Sequence, residues 1–285
     1  MNTSTYQYPT RRRLAWTTAA IVAVLTTGTF AQSPFNPERN LNVYGLTADQ
    51  QLVRFRVEPL HRYRRVGPIT GLRGSDTALI GIDFRVQDGL LYGVGNGGGI
   101  YTIDTDTAQV TMVQQLTIAL AGSSFGVDFN PAANALRIIS DTGQNLRQPF
   151  AGATAGVTQN DTLLNLNGAL AMGITAAAYT NNDLDAATAT TLFDIDPVRD
   201  QVVVQSPANS GTLVSTGLLT VDPDSAIGFD ILTELHGGVA IGNTAYASLV
   251  VGGVTGLYRV NLLTGKGTVV GEFPGAVIDM AIQLG

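Results

Sequence analysis

An apolar-Asp-apolar triplet marks this 285-residue chain again and again. It stands as Ile82-Asp83-Phe84, Val127-Asp128-Phe129, Phe229-Asp230-Ile231 and Ile278-Asp279-Met280, with a degraded copy read at Ile174-Thr175-Ala176. From Asp83 the equivalent positions fall 45, 47, 55 and 49 residues on, one after another. That period suits the blades of a propeller and is far too long for leucine-rich or hexapeptide repeats. In Leu79-Ile80-Gly81-Ile82-Asp83-Phe84 alternate residues face opposite sides of a strand, so Ile82 and Phe84 share one face and Gly81 and Asp83 the other. A Gly two positions ahead recurs at Gly81, Gly126, Gly173 and Gly228, with Val277 as the exception. Gly weakens a strand unless something must approach closely, as it must where inner strands converge on an axis. The triplets are therefore assigned to innermost strands.

Further alternating runs follow the first triplet, Leu90 to Val94, Ile100 to Asp104 and Gln109 to Val113, which makes four strands per blade. The run Leu192-Phe193-Asp194-Ile195-Asp196 is a second or a third strand, and the sequence leaves both open. Asp88-Gly89, Asn96-Gly97 and Thr264-Gly265 fall between apolar runs, where residues tolerant of positive φ close hairpins. At the C-terminus, Val277 to Leu284 supplies an inner strand with nothing after it. Near the N-terminus, Val43 to Leu46, Gln51 to Val57 and Arg62 to Ile69 supply three strands with no inner strand before them. Pairing them locks the ring and leaves no open seam. The expectation is an all-β chain: a single five-bladed β-propeller over residues 41–285, its last blade closed by N-terminal strands plus the C-terminal strand. Cysteine is absent, which removes disulfides, thiolate metal sites and thiol nucleophiles together.

Residues 1–31 read differently. Thr10-Arg11-Arg12-Arg13-Leu14 is a positive start, Leu14 to Phe30 an apolar stretch and Thr29-Phe30-Ala31 a small-x-small cleavage site, the parts of a secretory signal peptide. The Arg pair and Thr-diluted apolar stretch also fit a twin-arginine signal, so both export routes stay open. An apolar stretch of about 17 residues is short for a bilayer that needs roughly 20, so no stable membrane span is expected once the signal is removed. Residues 32–40 form an N-terminal extension. Export places the mature chain in the periplasm or outside the cell. Loss of three Arg moves the net charge from -6 to -9, which argues against nucleic acid as a partner. A monomer is the working expectation, and the ligand or partner protein is unknown.

The stretches Gly81-Ile82-Asp83-Phe84-Arg85, Phe125 to Pro131, Ala178-Tyr179-Thr180-Asn181-Asn182-Asp183 and Gln205-Ser206-Pro207-Ala208-Asn209-Ser210-Gly211-Thr212-Leu213 resemble the bacterial domain of unknown function numbered 4394. The likeness runs from about Leu41 to the C-terminus. The longer Tyr-Thr-Asn-Asn-Asp and Ser-Pro-x-Asn-x-Gly-Thr-Leu segments carry most of its specificity. What the resemblance implies is an exported bacterial protein; it brings no activity, cofactor or catalytic residue.

Asp83, Asp128, Asp230 and Asp279 are the first candidates for chemistry, because carboxylates gathered near one axis could hold a channel cation such as Ca2+. The competing role is to accept backbone N–H bonds and pin blades together. Two carboxylates about 4 Å apart repel by roughly 4 kcal/mol at an effective dielectric of 20, so a ring without a cation must protonate or splay. Asn181, Asn182 and Asp183, beyond an inner strand, and His236, before Gly237-Gly238, are candidate ligand contacts at a disc face. Two catalytic signatures match only by letter. Gly122-Ser123-Ser124-Phe125-Gly126 leads into a strand and not a helix, and Gly93-Val94-Gly95-Asn96-Gly97-Gly98 also precedes a strand. His61 and His236 are the only histidines, so three-histidine metal sites are impossible. Arg54, Arg56, Arg62, Arg64, Arg65, Arg73 and Arg85 crowd into about thirty positions, either as solvated outer-strand faces or as a dock for an anionic partner.

The leading functional expectation is a non-catalytic exported propeller that binds a protein, glycan or small ligand at a disc face or channel mouth, with no cofactor or only a channel cation. The alternative is a carboxylate and divalent-cation-dependent hydrolase or lyase at the axis. An enzyme should show a deep polar pocket joining at least two of Asp83, Asp128, Asp230, Asp279, Asp183 and His236.

Overall fold

The computed structural model describes residues 42–57, 60–224 and 227–284; the expected signal peptide and N-terminal extension lie outside them. Five antiparallel sheets stand in a ring as the five blades of a propeller. Blade 1 runs outward through Leu79–Phe84, Leu91–Gly95, Gly99–Ile103 and Val110–Gln115. Blade 2 follows with Phe125–Asn130, Ala135–Ser140, Asn145–Pro149 and the short Gln159–Asn160. In blade 3 the order is Ala176–Tyr179, Leu192–Asp196, Gln201–Gln205 and Thr212–Leu218. Blade 4 holds Gly228–His236, the long Val239–Val251, Val254–Val260 and Gly267–Glu272. The fifth, closing blade is mixed as expected: Val277–Ile282 lies innermost and pairs with Val43–Thr47, followed by Gln51–Arg56 and His61–Pro68. Its seam is a ladder of Val43 on Ile282, Gly45 on Met280 and Leu46 on Asp279, with Asn42 Nδ2 donating to Gln283 Oε1 at 2.9 Å.

The core is divided into five apolar layers, each pressed between two neighbouring blades. Tyr92, Val94 and Ile100 of blade 1 meet Val127, Phe129, Leu136 and Ile138 of blade 2. Phe193 and Ile195 of blade 3 meet Phe229, Ile231, Ala245 and Ala247 of blade 4. Burial of such side chains contributes about 1.5–3 kcal/mol each, so the ring is held by what lies between its sheets. Glycine permits the close approach near the axis: a Cβ on Gly126 would lie 2.7 Å from Ala177 N and 2.8 Å from Ala176 C.

One open choice is resolved and two details differ from the sequence reading. Leu192–Asp196 pairs with the innermost strand, so it is a second strand. Four strands per blade holds for four blades, while blade 3 adds two outer strands, Asn165–Leu166, parallel to Thr212–Leu218, and Ala169–Leu170. The third triplet is displaced. Ala176 and Ala178 face blade 4, while Ala177 and Tyr179 face blade 2. The equivalent of Val127-Asp128-Phe129 is therefore Ala177-Ala178-Tyr179, and the intervals become 45, 50, 52 and 49. Thr175 precedes the strand, and Gly173 sits in a turn at φ +85°. A run of alanines without a polar marker hid the true register.

Candidate functional site

Each inner strand ends its own sheet, so its axial edge presents backbone N–H groups with no ladder partner, in a place water does not reach freely. The triplet aspartates answer that need. Asp279 Oδ2 accepts from Ile82 N–H at 2.7 Å, Asp83 Oδ2 from Phe129 N–H at 2.7 Å and Asp128 Oδ1 from Tyr179 N–H at 2.9 Å. Asp230 Oδ2 accepts from Ile282 N–H at 2.5 Å. Every one of these bonds crosses from one blade to the next. Asp230 Oδ1 and Asp279 Oδ1 also accept from the amides of Ile231 and Met280.

The same side chains crowd one another. All four are buried, and carboxylate oxygens of Asp83, Asp128 and Asp230 lie within 4.8 Å of one another; these three are the residues that could hold a cation. Burial first, then repulsion from Asp230, pushes Asp83 well above the usual carboxylate range. Burial with the charges of Asp83 and Asp230 does the same to Asp128, and burial does it to Asp279. Asp230 is pushed up to about 7 by burial, against its two amide donors. The cluster is thus arranged to keep protons under conditions where isolated aspartates have lost them.

Blade 3 places Ala178 where the others place Asp, and a loop takes over the fastening to blade 4. Asn181 N–H donates to Asn243 Oδ1 at 3.1 Å and Asn243 Nδ2 returns a bond to Asn181 Oδ1 at 2.8 Å. Asn182 N–H donates to Thr233 Oγ1 at 3.0 Å, and Asp183 Oδ2 accepts from Ala240 N–H at 2.9 Å. These candidate contact residues are engaged with the neighbouring blade. Asn182 also borders a cavity of about 20 Å³ on the face where the inner strands end. His236 stands exposed at the end of the blade 4 inner strand, opposite Val239, and the structure does not bring it to the axial carboxylates.

The larger cavities lie elsewhere. One of about 270 Å³ sits at the other axial mouth, where all five inner strands begin; Ile80, Ser124, Phe125, Thr175, Ile227 and Ile278 border it. A groove of about 630 Å³ lies between blades 3 and 4, bordered by Thr180, Phe193, Asn243, Asn261, Lys266 and Thr268 among others. Among the described residues no carboxylate borders either cavity.

Neither letter motif leads into a helix: each combines a turn with strand residues, residues 122–124 ahead of Phe125–Asn130 and residues 96–98 between Leu91–Gly95 and Gly99–Ile103. Ser123 Oγ donates to Asp141 Oδ2 at 2.5 Å, and the segment leads straight into the blade 2 inner strand. The glycine-rich segment of blade 1 does cradle an anion, but it is the chain's own Asp76, whose carboxylate accepts from Gly97 N–H, Gly99 N–H and Tyr101 Oη–H. A Cβ at Gly95 or Gly99 would collide with that carboxylate.

Sequence reasoning missed a buried polar cluster between blades 2 and 3. Arg137, fully buried, donates to Asp161 Oδ2 at 2.8 Å, Asn145 Oδ1 at 2.7 Å and Asn209 Oδ1 at 2.7 Å, and its Nε reaches Tyr179 Oη at 3.4 Å. Asp194 is buried nearby with neither carboxylate oxygen bonded, and burial raises it well above its ordinary range. The signal was available in part, since Tyr179 and Asn209 belong to the two most distinctive segments of the sequence.

A family model described as Domain of unknown function (DUF4394) matches residues 51–281. No curated protein matches the chain. Among solved structures, the chain is similar to one described as "Crystal structure of Nidogen/Laminin Complex", with 12% identity and a TM-score of 0.46 over 86% of this chain and 98% of that one. Another is the glutaminyl cyclase of Myxococcus xanthus, with 11% identity and a TM-score of 0.39 over 73% of this chain and 89% of that one. No site residue is carried over from either.

Proposed function

Because the chain belongs to the DUF4394 family, whose description states no reaction, we propose from the site alone that it is a non-catalytic binding propeller. Its ligand seats on a disc face, in the groove between blades 3 and 4. The observation that carries this reading is the use of the carboxylates: each accepts an amide N–H from the next blade, and none borders a cavity of ligand size. A groove of about 630 Å³ is in the range that holds small organic ligands, and its Thr and Asn side chains beside Phe193 offer hydrogen bonds around an apolar floor.

The test is a thermal-shift screen of neutral and acidic oligosaccharides, followed by calorimetry on the strongest hit. A bound, unconsumed ligand whose affinity collapses in Thr268→Trp, a change at an exposed residue bordering the groove, is the expected result. Turnover of the hit that disappears in Asp83→Asn would contradict it.

A second reading, a divalent-cation-dependent hydrolase or lyase, is favoured by one observation, the three axial oxygens within 4.8 Å. Millimolar Ca2+ should then raise the melting temperature, and no shift would remove that reading. Export rests on residues 1–31 alone. Sequencing the N-terminus of protein recovered outside the cytoplasm should find a start near Gln32; an intact Met1 would contradict cleavage.

A further inference from the structure

We infer that the closing blade carries a site for a tetrahedral oxyanion, a phosphate or sulfate group, held by Arg54, Arg62 and Arg64, with Arg56 beside them. These four side chains, with Asn42 and Phe55, border a cleft of about 110 Å³. Water occupies about 30 Å³ per molecule, so the cleft has room for one oxyanion group and little more. Among the described residues no carboxylate borders it.

The register makes the cleft costly without an anion. Arg54 lies directly opposite Arg64 across the two outer strands, and like charges so placed destabilise a sheet. Alternation puts Arg54 and Arg56 on the face of their strand shared by Leu52, which packs in the layer toward blade 1. Among the described residues Arg54, Arg62 and Arg64 make no ion pair. The pairing of the two strands shifts between Arg54, opposite Arg64, and Arg56, opposite His61, and within that irregularity Arg62 takes a φ of +56°. That left-handed backbone is uncommon for a long side chain, and bulges re-aim side chains. Here the result is a fourth guanidinium at the same cleft. On a chain of net charge -6, four cations around one small cavity are a local reversal of the protein's field. Guanidinium suits the group, because its fork of donors matches phosphate and sulfate oxygens two at a time.

The experiment uses the full chain and two probes. Inorganic phosphate is titrated by calorimetry at constant ionic strength, and retention on heparin resin is measured as salt is raised. Saturable one-to-one phosphate binding, weakened roughly tenfold or more in Arg54→Gln and in Arg64→Gln but unchanged in Arg65→Gln, is the expected result. Heparin retention lost in the same variants, with or without measurable free-phosphate binding, also supports the site and assigns its anion to a sulfated chain. Binding of phosphate without heparin retention supports it and assigns the anion to a small molecule. Absence of both, or binding that survives Arg54→Gln/Arg64→Gln, overturns the site. Should the double variant fold poorly, a melting temperature of the unaltered chain that does not respond to phosphate at matched ionic strength overturns it equally.

Discussion

The axis and the outer edge of the closing blade both crowd charges of one sign, and they hold them by different means. At the axis four aspartates are buried, and each carboxylate receives an amide N–H from the neighbouring blade while its titration is pushed upward. At the edge Arg54 and Arg64 face each other with water at hand and, among the described residues, no carboxylate bordering their cleft. A buried carboxylate can relieve repulsion by keeping a proton; an arginine cannot lose one at any ordinary pH. As proposed, the axis relieves its own repulsion, whereas the edge draws an anion from outside.

Four changes would break or sharpen that contrast. The largest effect should come from a buried charge that does have an opposite partner. Asp161→Ala strips the fully buried Arg137 of its carboxylate and should cost about 3–5 kcal/mol in urea unfolding; a loss below about 1 kcal/mol would show that burial here is not what makes charge expensive. Next, Gly126→Ala drives a Cβ against blade 3 backbone, which cannot give way as a side-chain tip can. A loss of about 2 kcal/mol is expected, and a neutral change would mean that the blades do not meet so closely at the axis.

Asp128→Asn keeps an oxygen for Tyr179 N–H and removes the charge. Because burial and the charges of Asp83 and Asp230 raise the titration of Asp128 in the folded chain, the change should stabilise the protein in urea unfolding at about pH 8, with the gain vanishing near pH 4. Destabilisation at pH 8 would mean that the charge itself is needed. The smallest effect belongs to the edge: Arg54→Gln should raise stability by a few tenths of a kcal/mol in low salt and by nothing in high salt. A loss would show that the arginines are already compensated.

Much of the ring could be read from the sequence because Ile82, Val127, Phe129 and Phe229 repeat with an aspartate between strands of period two. Closure followed from an inner strand at one end and three outer strands at the other. Blade 3 resisted because Ala176-Ala177-Ala178-Tyr179 carries no polar marker, and Gly173 imitated the glycine of the other inner strands while serving a turn. The direction in which Asp83 and its relatives bond could not be read either. Alternation says which face of a strand holds them, not which neighbouring amide they reach. Arg137 was hidden for a similar reason: its partners Asp161, Asn145 and Asn209 come from three separate segments that only the fold assembles. The arginine cluster was visible as composition, but its shared cleft depends on cross-strand register and on the backbone turn at Arg62.

The most direct measurement is the unfolding free energy of the full chain from about pH 5 to about pH 8, first with a chelator and then with millimolar Ca2+. Unfolded aspartates titrate at the ordinary carboxylate value of about 3.9, whereas burial in the folded chain pushes Asp230 up to about 7 and its neighbours well above the usual carboxylate range. The folded state thus holds more protons than the unfolded one across this window, and stability must be greatest at its acid end and fall as pH rises through the folded values. If the axial aspartates are proton-keeping fasteners, the curve falls toward pH 8 and Ca2+ leaves it where it is. A curve that rises with pH, or one that Ca2+ lifts at pH 8, would contradict that role and return the axis to cation chemistry.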